Sequence, residues 1–275
     1  MWHGSRRQRR QTLNPATMTS FRVLQFNMQF GQGWDADDPD GAPVDLDGTI
    51  AEIRRHRADI VLLQEVEKAH RDGSQPPQPP NYTALRHALT EFPHSHFALP
   101  PADPRELPFG IGLAIFSRTP LGPLVRRVLP SPAISFEFDG EKKTPTDRLL
   151  IGAGTEIGGR RLQVFNTHLL AFFMLNHSSQ EYHGQRELVA ETMRALEGAA
   201  LIGGDFNVSR HASLVAEMDA IGYATAQVRE VTWRRRPYVL DHLFYRSAAL
   251  RCVGYQVCPT SASDHCALVG DFEFL

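Results

Sequence analysis

Short apolar runs that stop at a polar residue recur along this chain and carry most of its secondary-structure signal. Phe21-Arg-Val-Leu-Gln-Phe-Asn27 alternates in part and predicts a buried strand. Asp59-Ile-Val-Leu-Leu-Gln-Glu65, Gly112-Leu-Ala-Ile-Phe-Ser117 and Ala200-Leu-Ile-Gly-Gly-Asp205 are continuous runs of the length expected for strands covered on both faces. Further strands are predicted at 134–138, 148–155, 161–166, 239–246 and 267–274. Helical spacing takes over elsewhere. Ile50 and Ile53 predict a helix over 47–57. Tyr182, Val189, Met193 and Leu196 predict one over 180–196, capped by Ser178 or Ser179 and ended by Gly198. A third carries Leu214, Val215, Met218 and Ile221, with Ser209 as its cap and Gly222 as its stop. Loops are expected over 31–44, 75–80 and 100–108, where Gly, Pro and acidic residues collect. With no internal repeat and no convincing linker, residues 21–275 read as one α/β domain behind a basic leader over 1–20.

Charge narrows the partners. The 275 residues carry 29 Lys and Arg against 31 Asp and Glu, a net −2. The leader holds Arg6, Arg7, Arg9 and Arg10 and no acid, so the remainder stands at 25 − 31 = −6. An acidic body disfavours a broad grip on duplex nucleic acid but permits a phosphate substrate held through metal ions. No run of about 18 apolar residues predicts a membrane span. The leader has no apolar stretch behind its arginines and does not read as a secretory signal; it reads as a disordered arm, or as extra residues ahead of a start at Met18. Cys252, Cys258 and Cys266 form no CxxC and no disulfide framework, which points to a reducing, cytoplasmic setting. Asp35, Asp37, Asp38 and Asp40 fail the calcium-loop order, because Ala36 stands four before Asp40.

The chemistry collects where strands end. Asn27, Glu65, Asn166-Thr-His168, Asp205-Phe-Asn207, Asp241-His242 and Ser263-Asp-His265 all follow apolar runs. Each has an ordinary explanation taken singly: a capping Asn, a solvated exit for Glu65, an Asx-type turn at Asp205, a satisfied histidine. Together they assemble oxygen-rich donors, which favour a hard cation, magnesium or manganese, over zinc. His177 and His183 are spaced by six, which is unsuited to a zinc pair on one helix face.

Six fragments in this order resemble the endonuclease/exonuclease/phosphatase superfamily. They are Leu24-Gln-Phe-Asn27, Asp59-Ile-Val-Leu-Leu-Gln-Glu65, Phe165-Asn-Thr-His168, Gly203-Gly-Asp-Phe-Asn207, Leu240-Asp241-His242 and Ser263-Asp-His265. The resemblance implies a four-layer α/β sandwich, with two mainly antiparallel sheets face to face and helices outside. It implies a magnesium-dependent phosphoesterase in which Glu65, beside Asn27, binds the metal. Asp264 would be a further metal or histidine-supporting carboxylate. Asp205 and Asn207 would orient or deprotonate water, His265 would contact the phosphate with Asp241 behind it, His168 would be a second catalytic histidine, and Asn166 would brace the site. Physical chemistry supports those roles, since an anionic ester resists attack until its charge is neutralised.

The substrate is less legible. Asn166-Thr-His168 departs from the tyrosine-containing motif of abasic-site endonucleases, and Leu201-Ile-Gly-Gly-Asp205 with Asp241-His242 departs from inositol phosphatases. A nuclease or small-molecule phosphodiesterase remains, with a sphingomyelinase- or phosphoinositide-type lipid enzyme as the alternative. A catalytically silent binding module would have lost Glu65, Asp205, Asp264 or His265, and all are present. Trp233, Arg234, Arg235 and Arg236 offer a small grip suited to a single strand, a nucleotide or a compact phosphoester. The apolar segment 169–175 reads as core or as a lip for a base or lipid. A monomer is expected.

Overall fold

The computed structural model describes residues 19–275, and its strand order explains why the apolar runs are short. Six strands make the first sheet, in spatial order Leu250–Cys258 (β13), Ala267–Phe274 (β14), Ser20–Asn27 (β1), Ile60–Lys68 (β2), Gly110–Ser117 (β4) and His94–Ala98 (β3). The second sheet runs Tyr223–Thr225 (β11), Asp241–Arg246 (β12), Ala200–Asp205 (β10), Arg160–His168 (β9), Arg148–Ile157 (β8) and Val125–Leu129 (β5). Phe136–Phe138 (β6) and Glu141–Lys143 (β7) form a separate small hairpin. Each large sheet has one parallel pair at its centre, β1–β2 and β9–β10, and antiparallel neighbours outside.

A parallel pair needs a crossover, and each has its helix: Leu46–Arg55 (α1) joins β1 to β2, and Gly184–Arg194 (α3) joins β9 to β10. Pro80–Ala88 (α2) packs beside α1, and His211–Asp219 (α4) beside α3. Strand alternation then sorts the apolar residues into layers. Val23, Ile60, Leu62, Ile115, Val164 and Leu201 meet between the sheets. Their sequence neighbours Leu24, Val61 and Leu63 pack with Ile50, Ile53 and Leu85 under α1 and α2. Phe165 and Ile202 do the same with Val189, Met193 and Leu214 under α3 and α4. The result is a four-layer sandwich of helix, sheet, sheet and helix. Among the described residues no helix is long and apolar enough to cross a membrane.

Several elements differ from the sequence expectation. Residues 1–18 of the expected leader lie outside the described residues, and Ser20 already opens β1. The strand expected at 134–138 is only Phe136–Phe138, and β12 starts at Asp241 rather than 239. Helix α3 starts at Gly184, not 180, because Ser178 instead accepts from Glu181 N in a preceding turn. Helix α4 starts at His211, with Arg210 at the cap position and no side-chain cap. Sequence reasoning missed α2, whose one buried residue is Leu85, and the edge strands β3, β5 and β13, whose half-exposed residues show little apolar pattern.

Candidate active site

The carboxyl ends of the two parallel pairs meet across the sandwich, and the polar strand endings meet with them. On β1, Val23, Gln25 and Asn27 share the face toward the second sheet. Glu65 arrives by a different device. Gln64 pairs with Leu113 and Glu67 with Ile111, so Glu65 and Val66 oppose Gly112 alone. This is a β-bulge, with Glu65 at φ 50° and Gly112 at φ 86°. Gly110 completes the niche, since a Cβ there would lie 2.0 Å from Glu65 Oε2. In the second sheet Asp205 pairs with His168 on one side and Asp241 on the other, giving a row of functional side chains one strand apart.

The distances converge on Asp205. The Asn27 amide donates to Glu65 Oε1 at 2.9 Å and to Asp205 Oδ2 at 3.1 Å. The same Oδ2 lies 3.6 Å from His168 Nε2 and 3.7 Å from His265 Nε2. Its other oxygen accepts from Asn207 N at 3.0 Å, where Asn207 holds a left-handed φ of 50° and donates its amide to Leu169 O. His265 Nδ1 is 2.8 Å from Asp241 Oδ2, and His168 Nε2 is 3.9 Å from Glu65 Oε1. Asn166 ties the sheets together, donating to the carbonyls of Leu63 and Ala114 in the first sheet and accepting from Gln64.

Burial and charge divide the two histidines. Burial works to lower His265, but the charges of Asp241 and Asp205 prevail and raise it to about 10, so it is a cation at neutrality. Burial pushes Asp241 up, yet the His265 charge and hydrogen bond hold it below the usual carboxylate range. His168 is driven well below its usual value by burial, with Arg148 and His265 adding to the effect, and is a neutral imidazole. Of the two histidines, only His265 therefore offers a proton from both ring nitrogens.

Glu65 and Asp205 show what the cleft lacks. Burial, with the Asp264 charge, raises Glu65 to about 7; burial, with Asp241 and Glu65 nearby, raises Asp205 to about 7. Burial is the main cause in both, and a cation beside them would favour their charged forms. Ligand atoms of Glu65, His168 and Asp205 lie within 4.8 Å of one another, as do those of Asp205, Asp241 and His265. The second group is less suited to a cation, because a protonated His265 already hydrogen-bonded to Asp241 has no free lone pair. The first fits a divalent ion, two of its three donors being oxygen.

Other residues singled out from the sequence are engaged differently. Asp264 accepts from Arg235 Nε at 2.5 Å and from Trp233 Nε1 at 3.1 Å, and its charge acts on Glu65 and His265 without entering either ligand group. Arg235 also pairs with Asp40 at 2.7 Å. Arg234 donates to the Thr260 and Ser263 carbonyls and stacks on Trp34. These two arginines latch the acidic loop to Ser263-Asp-His265, which leads into β14 and does not end a strand as the sequence suggested, while Arg236 is exposed. Trp233 packs near His265 and forms an aromatic group with Phe173 and Tyr238, at centroid distances of 5.2–6.3 Å. Gln25 was not foreseen: its buried amide donates to Asp241 Oδ1 at 3.0 Å and Gln64 Oε1 at 2.6 Å. Its alternation with Val23 and Asn27 on the inner face was the available signal.

Comparison with known proteins agrees with this geometry. A family model described as the endonuclease/exonuclease/phosphatase family matches residues 24–265. A UPF0294 protein of Vibrio cholerae serotype O1 is 30% identical over 124 residues, which is 42% of this chain. The match spans less than half of that curated relative, 42% of its length. Among solved structures, an endonuclease/exonuclease/phosphatase from Beutenbergia cavernae is similar at TM-score 0.68 and 23% identity, over 93% of this chain and 72% of that one. The human Nocturnin catalytic domain with bound sulfate anion is similar at 0.64 and 19%, over 94% of each chain. The D. rerio TDP2 complexed with single strand DNA product follows at 0.58 and 18%, over 92% and 98%. At these identities the likeness is one of fold.

Proposed function

Because the chain belongs to the endonuclease/exonuclease/phosphatase family, whose members are generally metal-dependent phosphoesterases, we propose that it hydrolyses a phosphodiester by direct attack of water. The observation that carries this reading is the convergence of Asn27, His168 and His265 on one oxygen of Asp205, within 3.1–3.7 Å. A divalent cation, magnesium or manganese, would be held by Glu65 with Asn27, His168 and Asp205 at hand, and would supply charge neutralisation at a phosphoryl oxygen.

The chain's own groups do the rest. Asp205 is fixed by Asn207 N and the Asn27 amide, and its free oxygen edge takes the proton from water. Such a general base contributes about 10²–10⁴-fold. Protonated His265 donates from Nε2 to the phosphoryl oxygen as its charge grows, while Asp241 fixes the ring through Nδ1. Gln25 holds the second Asp241 oxygen and so sets the plane of that carboxylate. Neutral His168 orients a non-bridging oxygen or the water without adding charge. Asp264 supports the site electrostatically through Trp233 and Arg235.

For the substrate, the aromatic group beside His265 favours a phosphodiester carrying a planar group, such as a single strand or a nucleotide. An acidic body works against duplex binding. The lipid reading draws on Met174, 56% exposed beside Phe173 on the same lip. The reading also keeps the protein a cytoplasmic monomer, which sedimentation and fractionation test.

Hydrolysis with magnesium, manganese or EDTA is the experiment. Single-stranded and duplex DNA, RNA, bis-p-nitrophenyl phosphate, a phosphoinositide and sphingomyelin form the panel, with Asp205→Ala and His265→Ala as controls. Metal-dependent cleavage of single strands, lost in both variants, is expected, with Phe173→Ala raising KM for base-containing substrates only. Turnover of sphingomyelin alone would move the assignment to the lipid branch. No turnover and no metal-dependent rise in Tm would leave a silent binding module.

A further inference from the structure

The row of strand endings in the second sheet does not stop at His168. Leu149 on β8 pairs with His168, so Arg148, the first residue of β8, stands at the same end one strand beyond. Adjacent strands lie about 4.8 Å apart, and a guanidinium on its long stem spans that interval. Arg148 also pairs with Leu129 on β5, so the ladders on either side of β8 fix its backbone at this end of the row. Its charge acts on both Glu65 and His168, which lie 3.9 Å apart on opposite sheets.

Arg148 is also uncommitted. Among the described residues, Arg105, Arg127, Arg186 and Arg235 all have carboxylate partners, and Arg148 has none. Its Nε is buried and has no hydrogen-bond partner. The adjacent carboxylate, Asp147, is occupied by Ser131 N at 3.0 Å. A buried donor left unsatisfied costs about 1–3 kcal/mol, more for a charged group, and persists where a ligand completes it.

We propose that Arg148 is a substrate-binding residue, a fixed cation that grips the phosphate of the substrate on the His168 side of the cleft. This rests on the phosphoesterase reading and adds to it an anion site that does not depend on the metal. The aromatic group flanks His265, so the substrate would lie across the row, planar group on one side and phosphate oxygens toward Arg148 on the other. The guanidinium fork suits two oxygens of one phosphate.

The test uses inorganic phosphate as probe. Wild type, Arg148→Gln, Arg148→Lys and the outer-helix control Arg194→Gln are melted in EDTA across a phosphate series. KM for the best phosphodiester of the panel is then measured in magnesium. Phosphate is expected to raise Tm in wild type and Arg194→Gln, weakly in Arg148→Lys and not in Arg148→Gln. KM should rise about 10- to 100-fold in Arg148→Gln, the range of a lost charged hydrogen bond. Phosphate stabilisation surviving in Arg148→Gln, or missing from wild type, overturns the proposal. Circular dichroism without phosphate identifies a folding defect, in which case Arg148→Lys carries the test. Failure of the catalytic reading shows separately, as turnover unaffected by Asp205→Ala.

Discussion

Glu65→Gln should stabilise the metal-free protein while abolishing its response to metal. Glu65 keeps 19% of its side chain exposed, and its carboxyl is raised from an ordinary value of 4.5 to about 7. A group raised in the folded state stabilises fully below its unfolded value, and that stability is lost as pH climbs through the folded one. For Glu65 the window is pH 4.5 to 7, and at 1.36 kcal/mol per pH unit the loss is about 3 kcal/mol. Asp205, raised from 3.8 to about 7, acts in the same direction. His265, raised from 6.5 to about 10, loses its stabilisation later, between pH 6.5 and 10. Asp241, held low, contributes throughout both windows. Glutamine accepts the Asn27 hydrogen bond without the charge, so it removes the share of the first decline that Glu65 contributes and leaves that of Asp205. In a chain of this size about 3 kcal/mol corresponds to about 6–12 °C in Tm. Scanning calorimetry from pH 4.5 to 8.5 in EDTA, repeated with magnesium at pH 7.5, reads the effect. Wild type should lose Tm on the alkaline side and recover it with metal; Glu65→Gln should start higher and stay unmoved by the ion. A variant melting at or below wild type at pH 7.5 in EDTA, or rising with magnesium as wild type does, would refute the reasoning.

Asp241→Asn should cut kcat about 10²–10⁴-fold with KM little changed, because the fixed, protonated state of His265 is lost; steady-state kinetics separates the two. Gly110→Ala should cost metal affinity, since its Cβ would lie 2.0 Å from Glu65 Oε2 and force that side chain to move, and calorimetric titration with manganese measures it. Arg235→Ala should destabilise by about 2–4 kcal/mol by leaving the nearly buried Asp264 carboxylate without its guanidinium, whereas exposed Arg236→Ala should change stability by less than about 0.5 kcal/mol; urea unfolding distinguishes them.

The central strands were legible because they are covered on both faces. Ile60 to Leu63 and Ala200 to Ile202 alternate between two apolar layers, and the run stays hydrophobic throughout. The polar ends of β1, β2, β9 and β10 were legible for the same reason, as polar residues after a mostly apolar run, whereas Asp241 opens β12 and His265 precedes β14. Edges were not: β13 and β5 pair on one side only, and their exposed positions carry no period a reader could separate from loop. The arginine run 234–236 shows a different limit. Composition reads three equal cations, and only tertiary contacts assign Arg234 and Arg235 to the acidic loop and Asp264. Gln25 escaped notice because an amide inside an apolar strand means little until Asp241 is placed beside it.

The pairing of β1 with β14 has a consequence for how this protein is made. Ser20 is registered against Glu273, a separation of 273 − 20 = 253 residues, so one flank of β1 stays bare until nearly all of that length has been synthesised. Synthesis at about 5–20 residues per second leaves that open edge waiting for roughly 13–50 seconds. During that interval the β1–β2 ribbon presents unpaired backbone groups to any other nascent strand. His265, which precedes β14, joins Asp205 on the same schedule. Yield should therefore depend on translation rate and on chaperones that shield strand edges, more than on the stability of the finished sandwich.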